Sequence, residues 1–89
     1  MDFEYDQIKD ETNIANRDIP FILASQLDWD TALIWDDTRN EYGEPRQSAL
    51  ALYGDRLFFV AFVDRGNKRR IISMRKANKR EVRYYVSQD

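Results

Sequence analysis

Apolar and polar residues alternate, or form short apolar runs, in five stretches of strand length along this 89-residue chain. Short stretches of this kind, bounded by Gly, Asn or Asp, are typical of β-strands. The predicted strands are residues 3–5, 32–35, 46–53, 57–65 and 69–75. The stretch 57–65 is apolar on both faces, which indicates a central strand covered on both sides. Turn dipeptides at 54–55 and 66–67 join consecutive strands, so the last four are predicted to form an antiparallel meander.

The last predicted strand carries both apolar and basic side chains, and its two faces are predicted to differ. Side chains along a strand point alternately to opposite faces of the sheet. Uninterrupted alternation places Ile71, Ser73 and Arg75 on one face and Arg70, Ile72 and Met74 on the other.

Two helices are predicted between the first and second strands. Asp6 is placed to cap a helix that runs to about Arg17, because an Asp side chain accepts the free amide protons of a first turn. The helix is predicted from four residues that recur near the helical period in and just after this stretch: Ile8, Thr12, Ala15 and Ile19. A second, short helix is predicted over about residues 20–27, since Pro20 is tolerated in a first turn and Asp18 can cap it. It would bury Phe21, Ala24 and Leu27.

A last helix is predicted over residues 79–87, where Asn78 and Glu81 fit a capping box. On it, Val82 and either Tyr85 or Val86 are expected to face inward. The predicted order is a short N-terminal strand, two helices, an antiparallel four-stranded meander and a C-terminal helix. This is an α+β fold in which helices cover an antiparallel sheet.

The composition fits a single folded domain over residues 1–89, with 43% hydrophobic and 13% aromatic residues. The chain has no Cys and no His. This excludes disulfides, thiolate and Ser-His-Asp catalysis, and metal sites built on Cys or His. No cofactor is expected. The first ten residues lack a signal-peptide pattern, and the apolar run 57–63 is too short to span a membrane. A cytoplasmic location is therefore predicted.

The formal net charge of −2 conceals an uneven distribution along the chain. Residues 1–45 carry 12 acidic and three basic side chains, a net charge of −9. Residues 46–89 carry 11 basic and four acidic side chains, a net charge of +7. Such asymmetry is typical of a polyanion-binding surface beside an acidic one, and two solvated charged faces are the alternative interpretation.

The most basic segment runs from Arg65 to Glu81 and is followed by two tyrosines. Arg presents a planar fork of donors that matches phosphate oxygens, and aromatic rings stack on unpaired bases. We expect these strand ends and the start of the last helix to lie near one rim of the sheet. Basic groups interleaved with aromatics favour single-stranded RNA over duplex DNA, since the chain has no helix-turn-helix or ribbon-helix-helix pattern. The candidate RNA-binding residues of this half are Arg69, Arg70, Lys79, Arg80 and Tyr84. Trp29 and Trp35 belong either to the core or to an interface.

Four segments, in order along the chain, also carry the pattern of a known family. Residues 3–6 resemble an initial F-E-W/Y-D motif, and residues 13–21 stand where the family has N-x-x-K-H-G-V/I-x-F. Residues 37–46 resemble D-x-R-x-x-x-G-E-x-R. Residues 70–77, with Glu81 and Tyr85, resemble R-I-I-S-x-R-x-A-x-x-x-E-x-x-x-Y, the most specific of the four. The chain resembles the BrnT toxins of bacterial type II toxin–antitoxin systems, a family with a RelE-like ribonuclease fold.

This resemblance implies a metal-independent endoribonuclease that cleaves mRNA and inhibits translation. It implies that the partner is a small, BrnA-like antitoxin with a ribbon-helix-helix domain. The toxin would contact operator DNA only through this antitoxin, and no membrane would be involved. The reaction would be attack of the ribose 2′-hydroxyl on the adjacent phosphate. That step needs a base, cations for the phosphate oxygens and an acid for the leaving 5′-oxygen.

Catalytic candidates follow from that chemistry and from the matched motif. Arg75 and Arg65 are expected to clamp the phosphate from adjacent strand ends. Lys76 is a candidate acid or base among neighbouring cations. Glu81 is either the base or the carboxylate of the capping box with Asn78.

One segment departs from the family pattern, because Asn16, Arg17 and Asp18 replace its K-H-G. Arg17 keeps one cation for binding RNA, whereas the imidazole is lost and an acidic group is added. If this corner transfers a proton, the chain is a catalytically eroded interaction module that binds the antitoxin and modulates operon repression. If the corner is structural, catalysis is retained and Asp18 caps the next helix.

Overall fold

The computed structural model describes residues 1–38 and 44–88. Within these ranges the chain forms strands and helices in an order close to the predicted one. They are β1 (Asp2–Tyr5), α1 (Gln7–Arg17), a 3₁₀ helix (Phe21–Gln26), β2 (Asp28–Asp37), β3 (Arg46–Tyr53), β4 (Arg56–Arg65), β5 (Lys68–Lys76) and α2 (Lys79–Ser87). The sequence also predicts a charged connection over residues 36–44, but Asp36 and Asp37 belong to β2, and residues 39–43 lie outside the described residues.

The strands of the described residues form one five-stranded sheet in the order β1-β5-β4-β3-β2. Strands β2 to β5 pair antiparallel with their neighbours, whereas β1 pairs parallel with β5. The α+β class is confirmed, and the sheet is mixed because the N-terminal strand joins it. The β1–β5 pairing ends at Tyr5 and Ile71, so β1 covers only the first part of β5. The later part of that edge faces α1.

The predicted faces of β5 are wrong beyond its middle. Phe62 pairs with Ile71 and Ala61 with Ser73, so Ile72 is an extra residue in β5. Such a β-bulge shifts the alternation by one position. Ile71 and Met74 therefore share the face of the main core. Arg75 is on the opposite face, as the pairing partner of Phe59.

The helical segment before β2 lies over the main core. The 3₁₀ helix buries Phe21 and Ala24, and Leu27 follows at 6% exposure, which confirms the predicted burial of these three residues. They pack with sheet residues of the same face, among them Val60 and Phe62. Burial of such apolar side chains is the main favourable contribution to folding.

Helix α1 begins and ends as its sequence indicates, but its inward face differs from the prediction. Asp6 accepts hydrogen bonds from the backbone N–H groups of Ile8 and Lys9, at 2.8 and 3.1 Å. Ile8 is 73% exposed, and the buried residue of α1 is Asn13. The helix approaches the edge of β5 through this polar side chain, which apolar spacing cannot reveal.

Helix α2 has the predicted bounds and the predicted capping box. Asn78 Oδ1 accepts from the Glu81 backbone N–H at 2.8 Å, and Glu81 Oε1 accepts from the Asn78 N–H at 2.9 Å. The Tyr85 hydroxyl donates to the Thr31 carbonyl oxygen at 3.1 Å, which joins α2 to β2. Tyr85 therefore faces inward, whereas Val86 is 60% exposed.

Candidate functional site

Arg75 is the centre of the candidate site because it contacts groups from two other elements. Its Nη1 and Nη2 atoms donate to Glu81 Oε1 and Oε2 at 2.8 and 2.9 Å. Its Cζ atom lies 4.3 Å from the centroid of the Phe59 ring. A two-pronged ion pair and a ring beneath the guanidinium together fix its orientation. The side chain keeps 36% exposure and so remains accessible from solvent.

Glu81 has two roles in the structure, and both use its charged form. The hydrogen bonds from Arg75 are the main reason that the pKa of Glu81 lies below its usual value, and the Asn78 N–H lowers it further against the effect of burial. A carboxylate with a lowered pKa is a poor proton acceptor near neutral pH. The contacts therefore favour the predicted capping role of Glu81, to which they add the positioning of Arg75.

A cationic depression of about 260 Å³ adjoins Arg75. It is lined by Arg17, Ile19, Arg75 and Lys76. Residues 17 and 75 meet here because the end of α1 lies against the part of β5 that β1 leaves uncovered. Three positive charges around one depression attract an anionic group such as a phosphate.

Asn13 holds Arg17 at this depression, although sequence reasoning did not select it. Its Nδ2 donates to the carbonyl oxygens of Ile19 and Met74, at 2.9 and 3.0 Å. Both amide hydrogens are then engaged, so Oδ1 is left as an acceptor, and it accepts from Arg17 Nη1 at 2.8 Å. Asn13 is 4% exposed. One buried amide therefore links α1, the following turn and β5, and also orients a cation of the site.

Asp18 does not cap the next helix as predicted. It ends α1 in the left-handed conformation, with φ 59°, and its N–H donates to the Ile14 carbonyl oxygen at 2.8 Å. The 3₁₀ helix begins after Pro20 without a side-chain cap. The family pattern has Gly at this position, which is the residue that suits such a conformation best. Asp18, the third residue of the segment 16–18 that departs from the family pattern, therefore has a role in ending α1.

An aromatic groove of about 340 Å³ adjoins the Arg75–Glu81 pair. It is lined by Trp35, Leu50, Arg80, Glu81 and Tyr84. Trp35 and Tyr84 are 39% and 53% exposed. The centroid of the Trp35 ring lies 6.2 Å from that of Phe59, the ring that Arg75 covers.

The two tryptophans are thereby assigned to different environments. Trp29 packs edge-on against Phe62 with 5.5 Å between centroids, and its indole N–H donates to the Ala24 carbonyl oxygen at 2.8 Å. It belongs to the core, whereas Trp35 belongs to the groove. The sequence offered no signal that separates them, because the difference follows an irregularity in the pairing of β2 with β3 between Asp28 and Leu33.

Three of the predicted basic residues lie away from Arg75. Arg65 pairs with Lys68 in the sheet, six residues along β4 from the partner of Arg75, which corresponds to ~20 Å. It donates to Glu44 at 2.7 Å. The expected clamp by Arg65 and Arg75 from neighbouring strand ends is therefore wrong: the two residues lie toward opposite ends of the β4–β5 pair.

Arg69 and Arg70 also lie at the end of β5 that is remote from Arg75, and each contacts a carboxylate of this chain. Arg69 forms two hydrogen bonds with Asp64, at 2.8 and 2.9 Å, and lies over the rings of Trp29 and Phe62. Arg70 lies 3.9 Å from Glu4. The expectation of a single basic rim is therefore wrong. Arg65, Arg69 and Arg70 lie near the β4–β5 turn, whereas Arg75 lies toward the other end of β5. Lys79 and Arg80, in contrast, are exposed at the start of α2, near Arg75.

Comparison with protein families gives the class of this molecule. The family model for the ribonuclease toxin BrnT of type II toxin–antitoxin systems matches residues 5–81. A comparison with curated proteins found no match. The chain therefore belongs to the BrnT family of ribonuclease toxins, and the resemblance drawn from its motifs is confirmed. Membership implies an antitoxin partner. Among the described residues, none of the helices has the length and hydropathy to cross a membrane.

Proposed function

We propose that this protein is an endoribonuclease that cleaves mRNA and so inhibits translation. It acts in the cytoplasm and is neutralised by a BrnA-like ribbon-helix-helix antitoxin, through which the pair contacts operator DNA. The observation that carries the proposal is the position of Arg75, which lines a depression together with two further cations and is hydrogen-bonded to Glu81 of an aromatic groove. Family membership supplies the ribonuclease class.

The proposed reaction is attack of a ribose 2′-oxygen on the adjacent phosphorus, with departure of the 5′-oxygen. Negative charge gathers on the phosphate oxygens in the transition state. Arg17, Arg75 and Lys76 surround the depression in which those oxygens would lie, and fixed cations stabilise that charge without reorganisation. The 2′-hydroxyl proton is proposed to pass to a solvent water molecule as the 2′-oxygen attacks, and Lys76 is proposed to protonate the leaving 5′-oxygen. Glu81 holds the Arg75 fork in place and is not assigned the role of base.

The proposal is tested by incubating the purified protein with single-stranded RNA in the presence of a chelator. We expect cleavage that leaves 2′,3′-cyclic phosphate and 5′-hydroxyl ends, which mass spectrometry identifies. Arg75→Met should slow cleavage about 10²–10³-fold, the usual effect of losing one transition-state donor. Arg75→Lys should restore only part of the rate, because an ammonium cannot form the two-pronged pair with Glu81.

Lys68→Met is the matched control, since it removes one exposed cation from the opposite end of β5. Its cleavage rate should stay within about twofold of wild type, and circular dichroism should show that all variants are folded. Intact RNA at high protein concentration would disprove the proposed activity. Equal rates for the Arg75 and Lys68 variants would disprove the role of Arg75.

A second function is favoured by one observation, the two-pronged pairing of the Arg75 guanidinium with Glu81. A cation already paired in this way is less available to phosphate, as expected of an interaction module that retains antitoxin binding and has lost catalysis. This alternative predicts a stable complex with the antitoxin and no RNA cleavage. The chelator assay, run beside a pull-down with the antitoxin, separates the two functions.

A further inference from the structure

We propose that the aromatic groove between Trp35 and Tyr84 binds a single nucleobase of the RNA strand. The inference rests on the proposed function and adds to it a second subsite. The phosphate lies in the cationic depression, which Arg75 lines, and the base of the same nucleotide lies in the groove, which Glu81 lines.

The lining of the groove suits a flat aromatic ring. Leu50, which is 1% exposed, provides an apolar wall, and the partly exposed rings of Trp35 and Tyr84 provide aromatic surface. Arg80 and Glu81 add a donor and an acceptor that can reach the polar edge of a base. Stacking between bases and aromatic side chains is the usual means by which proteins hold unpaired nucleotides.

The position of the groove favours a nucleotide over a purely apolar ligand. Glu81 lines the groove and Arg75 lines the depression, and their side chains are joined by two hydrogen bonds. A nucleotide carries a base and a phosphate on one ribose, so it can occupy both places at once. Three cations line the depression, so charge directs the phosphate there and leaves the aromatic groove to the base.

The test compares two ligands that cannot be cleaved by attack of a 2′-hydroxyl. One is a 2′-O-methyl hexanucleotide, and the other is a hexamer of abasic tetrahydrofuran phosphates with the same charge. Fluorescence anisotropy gives the affinity of each for the full-length protein. Trp35→Ala should weaken binding of the hexanucleotide about tenfold and leave binding of the abasic hexamer unchanged. Tyr84→Ala should act in the same direction.

Two further variants control for folding and for aromatic loss in general. Trp35→Phe keeps a stacking ring and should retain most of the affinity for the hexanucleotide. Tyr53→Ala removes a ring that is 47% exposed at the end of β3, outside the groove, and should have no effect. Circular dichroism melting curves confirm that the compared variants are folded.

Three outcomes would overturn the inference. The first is no binding of the hexanucleotide by wild-type protein at millimolar concentration, and the second is an equal effect of Trp35→Ala on both ligands. The third is loss of antitoxin binding in Trp35→Ala with RNA affinity unchanged, which would assign the groove to a protein partner. Because neither ligand can be cleaved, a protein that binds the base without cutting RNA would refute the proposed ribonuclease and leave this inference standing.

Discussion

Replacing Asn13 by Ala tests whether one buried amide holds the α1 end of the site. The substitution removes three hydrogen bonds and leaves the carbonyl oxygens of Ile19 and Met74 without this donor. A net hydrogen bond contributes ~1 kcal/mol, and each buried acceptor left without a partner costs ~1–3 kcal/mol. Alanine regains roughly 0.5 kcal/mol of helix propensity. We therefore expect a loss of about 2–4 kcal/mol in the free energy of unfolding, or roughly 10–25 °C in melting temperature for a domain of this size.

Asn16→Ala is the matched control, because Asn16 is exposed on the same helix. This substitution leaves the three hydrogen bonds of Asn13 in place, and the variant should be as stable as wild type or more stable by up to about 0.5 kcal/mol. Arg17→Ala removes only the third hydrogen bond and should cost ~1 kcal/mol, which separates the carbonyl contacts from the Arg17 contact. Urea unfolding followed by circular dichroism measures all three variants. If Asn13→Ala and Asn16→Ala differed by less than about 0.5 kcal/mol, the role assigned to Asn13 would be wrong.

Three further predictions concern the same region. The folded-state pKa of Glu81 is lowered, so its contribution to stability is present above its unfolded value near 4.5 and is lost as the pH falls through the folded value. Glu81→Gln should therefore lower the free energy of unfolding at pH 7. Below pH ~5, this free energy should fall less steeply in the variant than in wild type, and an equal fall in both would contradict the stabilising role of the Glu81 carboxylate. Asp18→Gly should raise the free energy of unfolding by about 0.5–1 kcal/mol, because Gly adopts φ 59° without strain, whereas Asp18→Ala should give no gain. Arg17→His, which restores the residue of the family pattern, should give RNA binding that weakens between about pH 5.5 and 8, since imidazole titrates in that range; binding independent of pH would show that position 17 does not contact phosphate.

The sequence predicted those features that depend on neighbouring residues. The caps at Asp6 and Asn78 and the burial of Phe21, Ala24 and Leu27 were all correctly expected, because each follows from local hydrogen bonding or local spacing. The family was also correctly recognised, because its motifs are short sequence patterns, and the family model matches residues 5–81.

The features that sequence reasoning missed depend on pairing between distant segments. The bulge at Ile72 is defined only by the partners of β4, and it changes which side chains share a face with Arg75. The separation of Arg65 from Arg75 depends on the direction of the β4–β5 hairpin. Asn13 was missed because a polar residue in a helix is normally exposed, and its carbonyl partner on β5 lies 61 positions away in sequence. Local periodicity contains no information about such partners.

Residues 16–18, where the chain departs from the family pattern, bear on both proposed functions, the ribonuclease and the interaction module that has lost catalysis. Asp18 occupies the left-handed end of α1, and Arg17 is held by Asn13, so two of the three replaced positions have structural contacts that do not require an imidazole. A guanidinium remains charged at every cellular pH and cannot exchange a proton as imidazole does. Position 17 can therefore stabilise phosphate charge but cannot act as an acid or a base. If this chain cleaves RNA, proton transfer must come from another group, and Lys76 lines the same depression.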